Sequence, residues 1–333
     1  MRYLFIFTLI SFSLLFSKNY RILPLGDSIT FGDAYNPPPD NLKHAYRNYL
    51  WYKLNDYDYW VDYVGTRRSG WSVIPKFDPE NEGHPGWTSF DISNITYNRL
   101  VRTQPDIILL HIGSNDFWIG DNRDDPSMSG VSKILNEVDR YEKNHRHHIK
   151  VIIATIIDRT YHPPFTDKYN SKLRSLIRKR ISQGDDLVMV DMQYGAHLVY
   201  NSTDFQDPTH PNDNGYKKMA KVWFNALNKI LDKYPLPQKP KSFKAYKIEP
   251  QKVALKWKKV KNVDGYILYK NSKLVSVLPA KTTKYTVSGL KPSTKYTFKI
   301  ASYNERGYSK FSTIKVKTKS YSWLPIIYNL LGM

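Results

Sequence analysis

Apolar runs and amphipathic segments alternate along the first two thirds of the chain. Apolar residues recur at helical spacing around 131–141, 169–177 and 216–230. Five short apolar runs have the length and composition of β-strands: 21–26, 60–65, 106–113, 150–157 and 187–192. The central three are almost continuously apolar, which is typical of parallel strands covered on both faces. The alternation predicts an α/β sandwich with right-handed crossovers between parallel strands.

The pattern changes after residues 233–243, a stretch that contains three prolines and few apolar side chains. Short runs of alternating character there predict the strands of a small all-β sandwich: 253–257, 265–270, 284–290 and 295–304. We therefore expect an α/β domain over 18–234, a linker over 235–238, a β-sandwich domain over 239–318 and an apolar tail over 319–333.

The first residues have the pattern of a secretory signal peptide, which we expect to cover 1–17. Arg2 precedes an apolar stretch from Tyr3 to Phe16, and a polar break follows. The stretch is too short for a comfortable bilayer span of about 20 residues, although an uncleaved membrane anchor is the alternative. We expect a secreted or periplasmic protein. Cysteine is absent from the sequence, which excludes disulfides and a cysteine-linked lipid anchor.

Positive charge is concentrated in the second domain. The chain has a net charge of +20, and residues 238–318 contain 20 Lys or Arg residues but only three acidic ones, a net +17. This domain is therefore expected to contact an anionic polymer or a cell surface, unless its lysines are simply a solvated surface. Nucleic acid is not expected as a partner of an exported protein.

Four polar stretches follow predicted strands or precede the last helix: 24–30, 82–90, 111–116 and 205–216. In such sheets the carboxyl ends of the strands meet at one edge, where ligands bind. Ser28 lies in the first stretch, and Asp207 and His210 lie three residues apart in the last. A carboxylate that accepts from one imidazole nitrogen leaves the other nitrogen to take the serine proton.

Donors for an oxyanion lie in the same stretches. Asn115 can offer its side-chain amide, Gly86 an unobstructed backbone N–H, and Ser28 its own backbone N–H. The two neighbouring aspartates, Asp27 and Asp116, are expected to brace their loops. Thr30 stands where a Gly-x-Ser-x-Gly elbow would have its second glycine.

The motifs "GDS", a loop glycine, "GSND" and "DPTH", in this order, resemble the four blocks of the SGNH (GDSL-type) hydrolase superfamily. The stretches "PLGDSIT", "EGHPGWT" and "PDIILLHIGSND" look closest to carbohydrate esterase family 3, the acetylxylan esterases. The resemblance implies a three-layer α/β/α, flavodoxin-like fold. It implies Ser28 as nucleophile, His210 as base and Asp207 as its orienter, with Gly86 and Asn115 completing the oxyanion hole. Pro-Thr replaces the usual glycine-containing pair before His210.

The second domain resembles a fibronectin type III module. The resemblance rests on an early Trp257 and on "GLKPSTKYTFKIA" at 289–301, where Tyr296 is the candidate for a tyrosine corner. It implies an antiparallel β-sandwich that serves as a spacer or an interaction module.

Other residues admit two interpretations. His84 either shapes the pocket or packs structurally, and Trp87 and Trp118 either stack on a sugar ring or pack in the core. The histidines of "HRHH" (145–148) fit a solvated helix end better than a metal site. No cofactor motif or phosphate loop is present in the sequence, so we expect no cofactor and no metal.

Together these features predict a secreted serine esterase that removes acetyl groups from a polysaccharide, with xylan as the expected substrate. One alternative keeps the chemistry but changes the acyl group, as in a lipase, lysophospholipase or thioesterase. The other alternative is a carbohydrate-binding or adhesion protein without catalysis.

Overall fold

The computed structural model describes residues 19–118, 125–232 and 235–321. The chain divides into two compact units, residues 1–233 and 234–333. The predicted leader (1–17) and residues 322–333 of the predicted tail lie outside the described residues. Within the described ranges, none of the helices combines the length and apolarity needed to cross a bilayer.

The first unit alternates strands and helices. Its strands are β1 (Tyr20–Gly26), β2 (Val61–Tyr63), β3 (Arg67–Arg68), β4 (Glu80–Gly83), β5 (Ile107–His111), β6 (Lys150–Ala154) and β7 (Leu187–Val190). Its helices are α1 (Ser28–Phe31), α2 (Ala45–Asp56), α3 (Ser89–Thr103), α4 (Ser129–His145), α5 (Pro164–Ser182) and α6 (Asp213–Leu227). Short 3-10 turns occur at Asp40–Leu42 and Asp116–Trp118.

The strands form one sheet in the order β3-β4-β1-β5-β6-β7, with β2 paired to the beginning of β1. All pairings are parallel except that of β3 with β4. The apolar faces of α2 and α6 cover one side of the sheet, and those of α3, α4 and α5 cover the other. This confirms the predicted three-layer sandwich. The chain reverses its direction of winding between β1 and β5, the place where such sheets bind ligands.

Burial on both faces explains the continuous apolar runs. Successive residues of β1 enter opposite cores, Ile22 on the side of α2 and α6 and Leu23 on the side of α3 to α5. Leu109 and Leu110 of β5 repeat this arrangement. The central residues of these strands are therefore apolar, whichever face they occupy.

Several elements differ from the sequence prediction. The strands β3 and β4 and the helix α2 were not predicted, and the strand expected at 60–65 spans only Val61–Tyr63. The sequence of β4, Glu-Asn-Glu-Gly, contains no apolar side chain that would indicate a strand. Helix α2 buries Arg47 and Asn48, so its buried face is not marked by apolar residues alone.

The second unit is an antiparallel sandwich. Its strands are β8 (Lys244–Ile248), β9 (Val253–Lys256), β10 (Gly265–Lys270), β11 (Lys273–Pro279), β12 (Lys284–Val287), β13 (Lys295–Asn304), β14 (Gly307–Tyr308) and β15 (Ser312–Lys317). One sheet has the order β12-β9-β8, and the other contains β11, β10, β13, β14 and β15. Four of these strands, β8, β11, β14 and β15, were not predicted.

Large aromatic side chains fill the core between the two sheets. Trp257 packs edge-on against Tyr266, with ring centroids 5.4 Å apart, and Phe298 is fully buried in the same core. The Tyr296 hydroxyl accepts a hydrogen bond of 2.9 Å from the backbone N–H of Lys291. This bond confirms Tyr296 as a tyrosine corner.

Candidate active site

Ser28 is the first residue of α1, directly beyond the end of β1. Asp27 caps the helix, since its Oδ1 accepts from the backbone N–H of Ile29 at 3.0 Å. Gly26 is needed before this turn because a Cβ there would lie 2.2 Å from the carbonyl oxygen of His111 on β5. The close approach of β1 and β5 thus places Ser28 at the carboxyl edge of the sheet.

A buried arginine that sequence reasoning missed holds α1 in place. The Arg47 guanidinium donates to the carbonyl oxygens of Thr30 and Phe31, at 2.9 and 3.2 Å, which are near the end of α1. It also donates to the carbonyl of Lys43 and to the hydroxyl of Ser69. Burial lowers the pKa of Arg47 to about 10, so the side chain stays protonated at neutral pH. A lone arginine in an aromatic helix carries no local signal of this role.

Ser28, His210 and Asp207 form a continuous chain of hydrogen bonds. The Ser28 Oγ lies 2.9 Å from His210 Nε2. On the other side of the ring, His210 Nδ1 lies 2.8 Å from Asp207 Oδ2 and 2.9 Å from Oδ1. Ser28 and His210 are both buried. The structure therefore brings together the three residues that the sequence singled out, across a separation of 182 positions.

The Asp207 carboxylate is stabilised in its ionised form. Burial raises its pKa, but hydrogen bonds from His210 and from the backbone N–H groups of Tyr35 and Thr209 lower the pKa to about 2. The Tyr35 ring also lies edge-on against the His210 ring, with centroids 5.4 Å apart. Tyr35 was not predicted, because only the tertiary fold brings the 33–39 loop to the 207–210 turn.

Of the three expected oxyanion donors, Ser28 begins α1, whereas Gly86 and Asn115 lie on two loops that contact each other. Asn115 donates one side-chain N–H to the Trp87 carbonyl oxygen at 2.9 Å, and an amide has a second N–H to offer. Gly86 is exposed and has a φ of +78°, a conformation that favours glycine, and a Cβ there would meet open space. Neither the Ser28 nor the Gly86 backbone N–H has an acceptor among the residues that the structure describes.

Asp27 and Asp116 brace their loops, as predicted. Asp116 accepts from the backbone N–H and the hydroxyl of Ser89, at 2.7 and 2.6 Å, so it joins the Asn115 loop to the start of α3. The second carboxylate oxygen of Asp27 is buried and has no hydrogen-bond partner among the described residues. Burial raises the pKa of Asp27 to about 7.

A second buried arginine, also missed from the sequence, joins two of the site loops. Arg159 follows β6, and its Nη2 donates to the Ser114 carbonyl oxygen at 2.8 Å. Its Nη1 donates to the Thr209 hydroxyl at 3.1 Å. One guanidinium therefore binds both Ser114, which precedes Asn115, and Thr209, which precedes His210. Pro208 is compatible with this geometry, and its carbonyl accepts from the Thr160 N–H at 3.0 Å.

The three suggested substrate contacts differ in their surroundings. The His84 ring is buried and stacks on Trp87 at 4.1 Å, with Nε2 2.8 Å from Glu82 and Nδ1 3.4 Å from Arg67. These contacts favour the packing interpretation for His84. Trp87 is partly buried against the core. The side chain of Trp118 lies outside the described residues.

The histidines at 145–148 lie at the end of α4, as expected. His148 contacts Glu142 and Asp186, at 3.0 and 2.9 Å, and His147 lies 3.7 Å from Asp106. The sequence did not indicate these carboxylate partners, two of which come from other elements. No group of three His, Asp or Glu residues within the described part of the chain is arranged to hold a metal ion.

Two solved structures that resemble this chain are family 3 carbohydrate esterases. The family 3 carbohydrate esterase of Clostridium thermocellum is 26% identical and has a TM-score of 0.54, over 64% of this chain and 97% of that one. A family 3 carbohydrate esterase from Talaromyces cellulolyticus is 24% identical with a TM-score of 0.53, over 63% and 97% of the two chains. At this lower identity the second likeness is one of fold.

Sequence comparison also finds an esterase. A multidomain esterase of Ruminococcus flavefaciens is 29% identical over 245 residues, which are 66% of this chain but 30% of that protein. The fibronectin type III domain profile matches residues 238–317. The profile of the GDSL-like lipase/acylhydrolase family matches residues 25–218, more than half of the chain. The chain is therefore a member of the GDSL-like lipase/acylhydrolase family, with an SGNH-type domain followed by a fibronectin type III sandwich.

Proposed function

We propose that this protein is a secreted serine esterase that removes acetyl groups from a polysaccharide, acetylated xylan being the expected substrate. The observation that carries the proposal is the hydrogen-bonded chain from Ser28 Oγ through His210 to Asp207. The likeness to a family 3 carbohydrate esterase supports the choice of a carbohydrate ester.

In the first half of the reaction, Ser28 Oγ attacks the acetyl carbonyl carbon while His210 Nε2 takes the hydroxyl proton. The carbonyl oxygen becomes negatively charged and accepts hydrogen bonds from the Ser28 and Gly86 backbone N–H groups and the second N–H of Asn115. The C–O bond to the sugar then breaks. His210 returns its proton to the departing sugar oxygen, which leaves an acetyl ester on Ser28.

In the second half, His210 takes a proton from water, and the resulting hydroxide attacks the acetyl carbonyl. The bond to Ser28 Oγ breaks, acetate leaves, and the serine regains its proton. Asp207 remains ionised throughout, because its pKa of about 2 lies far below neutral pH. It therefore holds the Nδ1–H tautomer of His210 and stabilises the imidazolium form.

The test measures acetate release from acetylated xylan, together with hydrolysis of p-nitrophenyl acetate, butyrate and palmitate. We expect release from xylan, a preference for acetate among the small esters, and loss of both activities in Ser28→Ala by roughly 10⁴- to 10⁶-fold. Preference for the long-chain esters would favour a lipase or thioesterase instead. Absence of turnover on every ester in the folded protein would favour a binding protein.

We also propose that the protein acts outside the cytoplasm after removal of a leader that ends at Ser17. Support comes from the basic, then apolar, then polar order of the first residues. Expression of the full chain in a bacterium with a periplasm, followed by N-terminal sequencing, tests this. We expect exported protein that begins at Lys18, whereas membrane-bound protein that retains Met1 would indicate an uncleaved anchor.

A further inference from the structure

Three lysines stand side by side across the three-stranded sheet of the second unit. Lys284 of β12 is paired with Lys256 of β9, and Lys256 is in turn paired with Lys244 of β8. We call Lys244, Lys256 and Lys284 the lysine row. Adjacent strands are about 4.7–4.9 Å apart, so the row spans roughly 10 Å across the sheet.

The row lies on the outer face of the sheet. Val253 and Leu255 of β9 point into the core, so Lys256 points away from it. Lys244 and Lys284 are exposed. The outer face of this sheet is therefore lined by ammonium groups at three directly paired positions.

A bulge adds an aromatic ring to this face. The pairing of β8 with β9 shifts between Ala245 and Lys247, which leaves Tyr246 as the extra residue. Bulges re-aim side chains in this way. The Tyr246 ring centroid lies 5.6 Å from the Lys256 ammonium and 5.9 Å from that of Lys284, and the side chain is 47% exposed.

The charges of the row are not neutralised within the described residues. The three acidic residues of 238–318 are Glu249, Asp264 and Glu305, and Glu249 is paired with Lys247 at 2.6 Å. None of the row lysines has an ion pair in the described part of the chain. Like charges directly opposite each other destabilise a sheet. The row therefore opposes folding unless an anion binds to it.

We propose that the outer face of the β12-β9-β8 sheet binds a linear acidic polysaccharide. Carboxylates of the polymer pair with the lysine row, and a sugar ring lies against the exposed part of Tyr246. The narrow row suits an extended chain, and an aromatic face suits the C–H surface of a sugar. This site is separate from the esterase chemistry proposed for the first unit, so either proposal can fail without the other.

The test compares two variants of the full chain with equal charge. In one, the row is neutralised by Lys244→Gln, Lys256→Gln and Lys284→Gln. In the matched control, Lys295→Gln, Lys315→Gln and Lys317→Gln neutralise three exposed lysines of the other sheet, two of which are also directly paired. The probe is polygalacturonate, with binding measured by calorimetry, and an unchanged circular dichroism spectrum of each variant checks the fold.

We expect the row variant to lose affinity at least about tenfold, because three ammonium groups that attract the polymer carboxylates are removed together. The control should lose clearly less. Tyr246→Ala should weaken binding at unchanged charge, and Tyr246→Phe should retain it. Equal losses in the two triple variants would overturn the proposal, because they would reflect net charge alone.

The Tm of the second unit distinguishes a polymer-binding site from a surface on which the lysines only repel one another. Lys256→Gln removes the central charge, so we expect a higher Tm for the second unit without polymer and a smaller rise in Tm when polygalacturonate is added. A higher Tm with unchanged polymer binding would contradict the proposal. So would row-dependent binding that is tighter to DNA or to anionic lipid vesicles than to polygalacturonate.

Discussion

In the first unit, buried charged groups have specific partners. Arg47 donates to backbone carbonyls around α1, and Asp207 accepts from His210 and from backbone N–H groups. Residues 238–318 of the second unit, by contrast, include 20 basic residues but only three acidic ones, and paired lysines stand opposite each other on both of its sheets. The comparison separates two arrangements of charge: paired charges in the first unit orient groups at the candidate site, whereas the lysines of residues 238–318 far outnumber the carboxylates that could pair with them.

Among the changes to charged groups, the largest effect is expected from removing the charge of Asp207, which pairs with His210. Asp207→Asn replaces the carboxylate that accepts the His210 Nδ1–H by an amide, which allows the other imidazole tautomer. In that tautomer Nε2 carries the proton and cannot act as the base, so kcat on p-nitrophenyl acetate should fall by about 10⁴-fold. KM should change little. Asp213→Asn, an exposed aspartate three residues beyond His210, is the control. A loss below tenfold in folded Asp207→Asn protein would contradict the assigned role.

Removal of one uncharged oxyanion donor should lower kcat less than Asp207→Asn does. Asn115→Ala eliminates a proposed oxyanion donor and should lower kcat by about 10²- to 10³-fold. The variant also loses the bond to the Trp87 carbonyl, so circular dichroism must be unchanged for the result to count. If Asn115→Ala raised only KM, the side chain would be a substrate-binding group.

Asp27 is a buried carboxyl group of which one oxygen has a hydrogen-bond partner among the described residues and the other has none. Its pKa is raised to about 7 by burial, so between about pH 4 and 7 the folded state retains a proton that the unfolded state releases. Its contribution to stability therefore decreases as the pH rises through this range. Asp27→Asn keeps the helix cap but does not ionise, so its Tm relative to the natural protein should increase from about pH 4 to about pH 8.

Differential scanning calorimetry measures this difference, and the transition of the second unit, which lacks Asp27, is the internal reference. The same difference in Tm at both pH values would mean that Asp27 does not titrate in this range.

The smallest effect is expected in the second unit. Lys247 and Glu249 form an exposed ion pair, and such pairs contribute little because water and salt screen them. Lys247→Gln should leave the Tm of this unit unchanged within experimental error. A clear fall in Tm would show that charge pairing stabilises the second unit as well, and the contrast between the units would weaken.

Local patterns were sufficient for much of the fold. Strands buried on both faces are apolar over several consecutive positions, so β5 and β6 were evident from the sequence. The chemically distinctive residues Ser28, Asp207 and His210 were also evident, because their side-chain types and their order suit one reaction. In contrast, β4 has no apolar residue, and the buried face of α2 includes a charged side chain, so neither element carried a local signal.

By itself, the sequence determined the layer architecture, the candidate nucleophile, base and acid, and the excess of positive charge in the second unit. These features depend on the burial or the chemistry of single residues. Only the tertiary structure decided that Arg159 joins the Asn115 and His210 loops, that Tyr35 lies against His210, and that three lysines align across one sheet. These features depend on the register and approach of segments far apart in the chain, which no local pattern encodes.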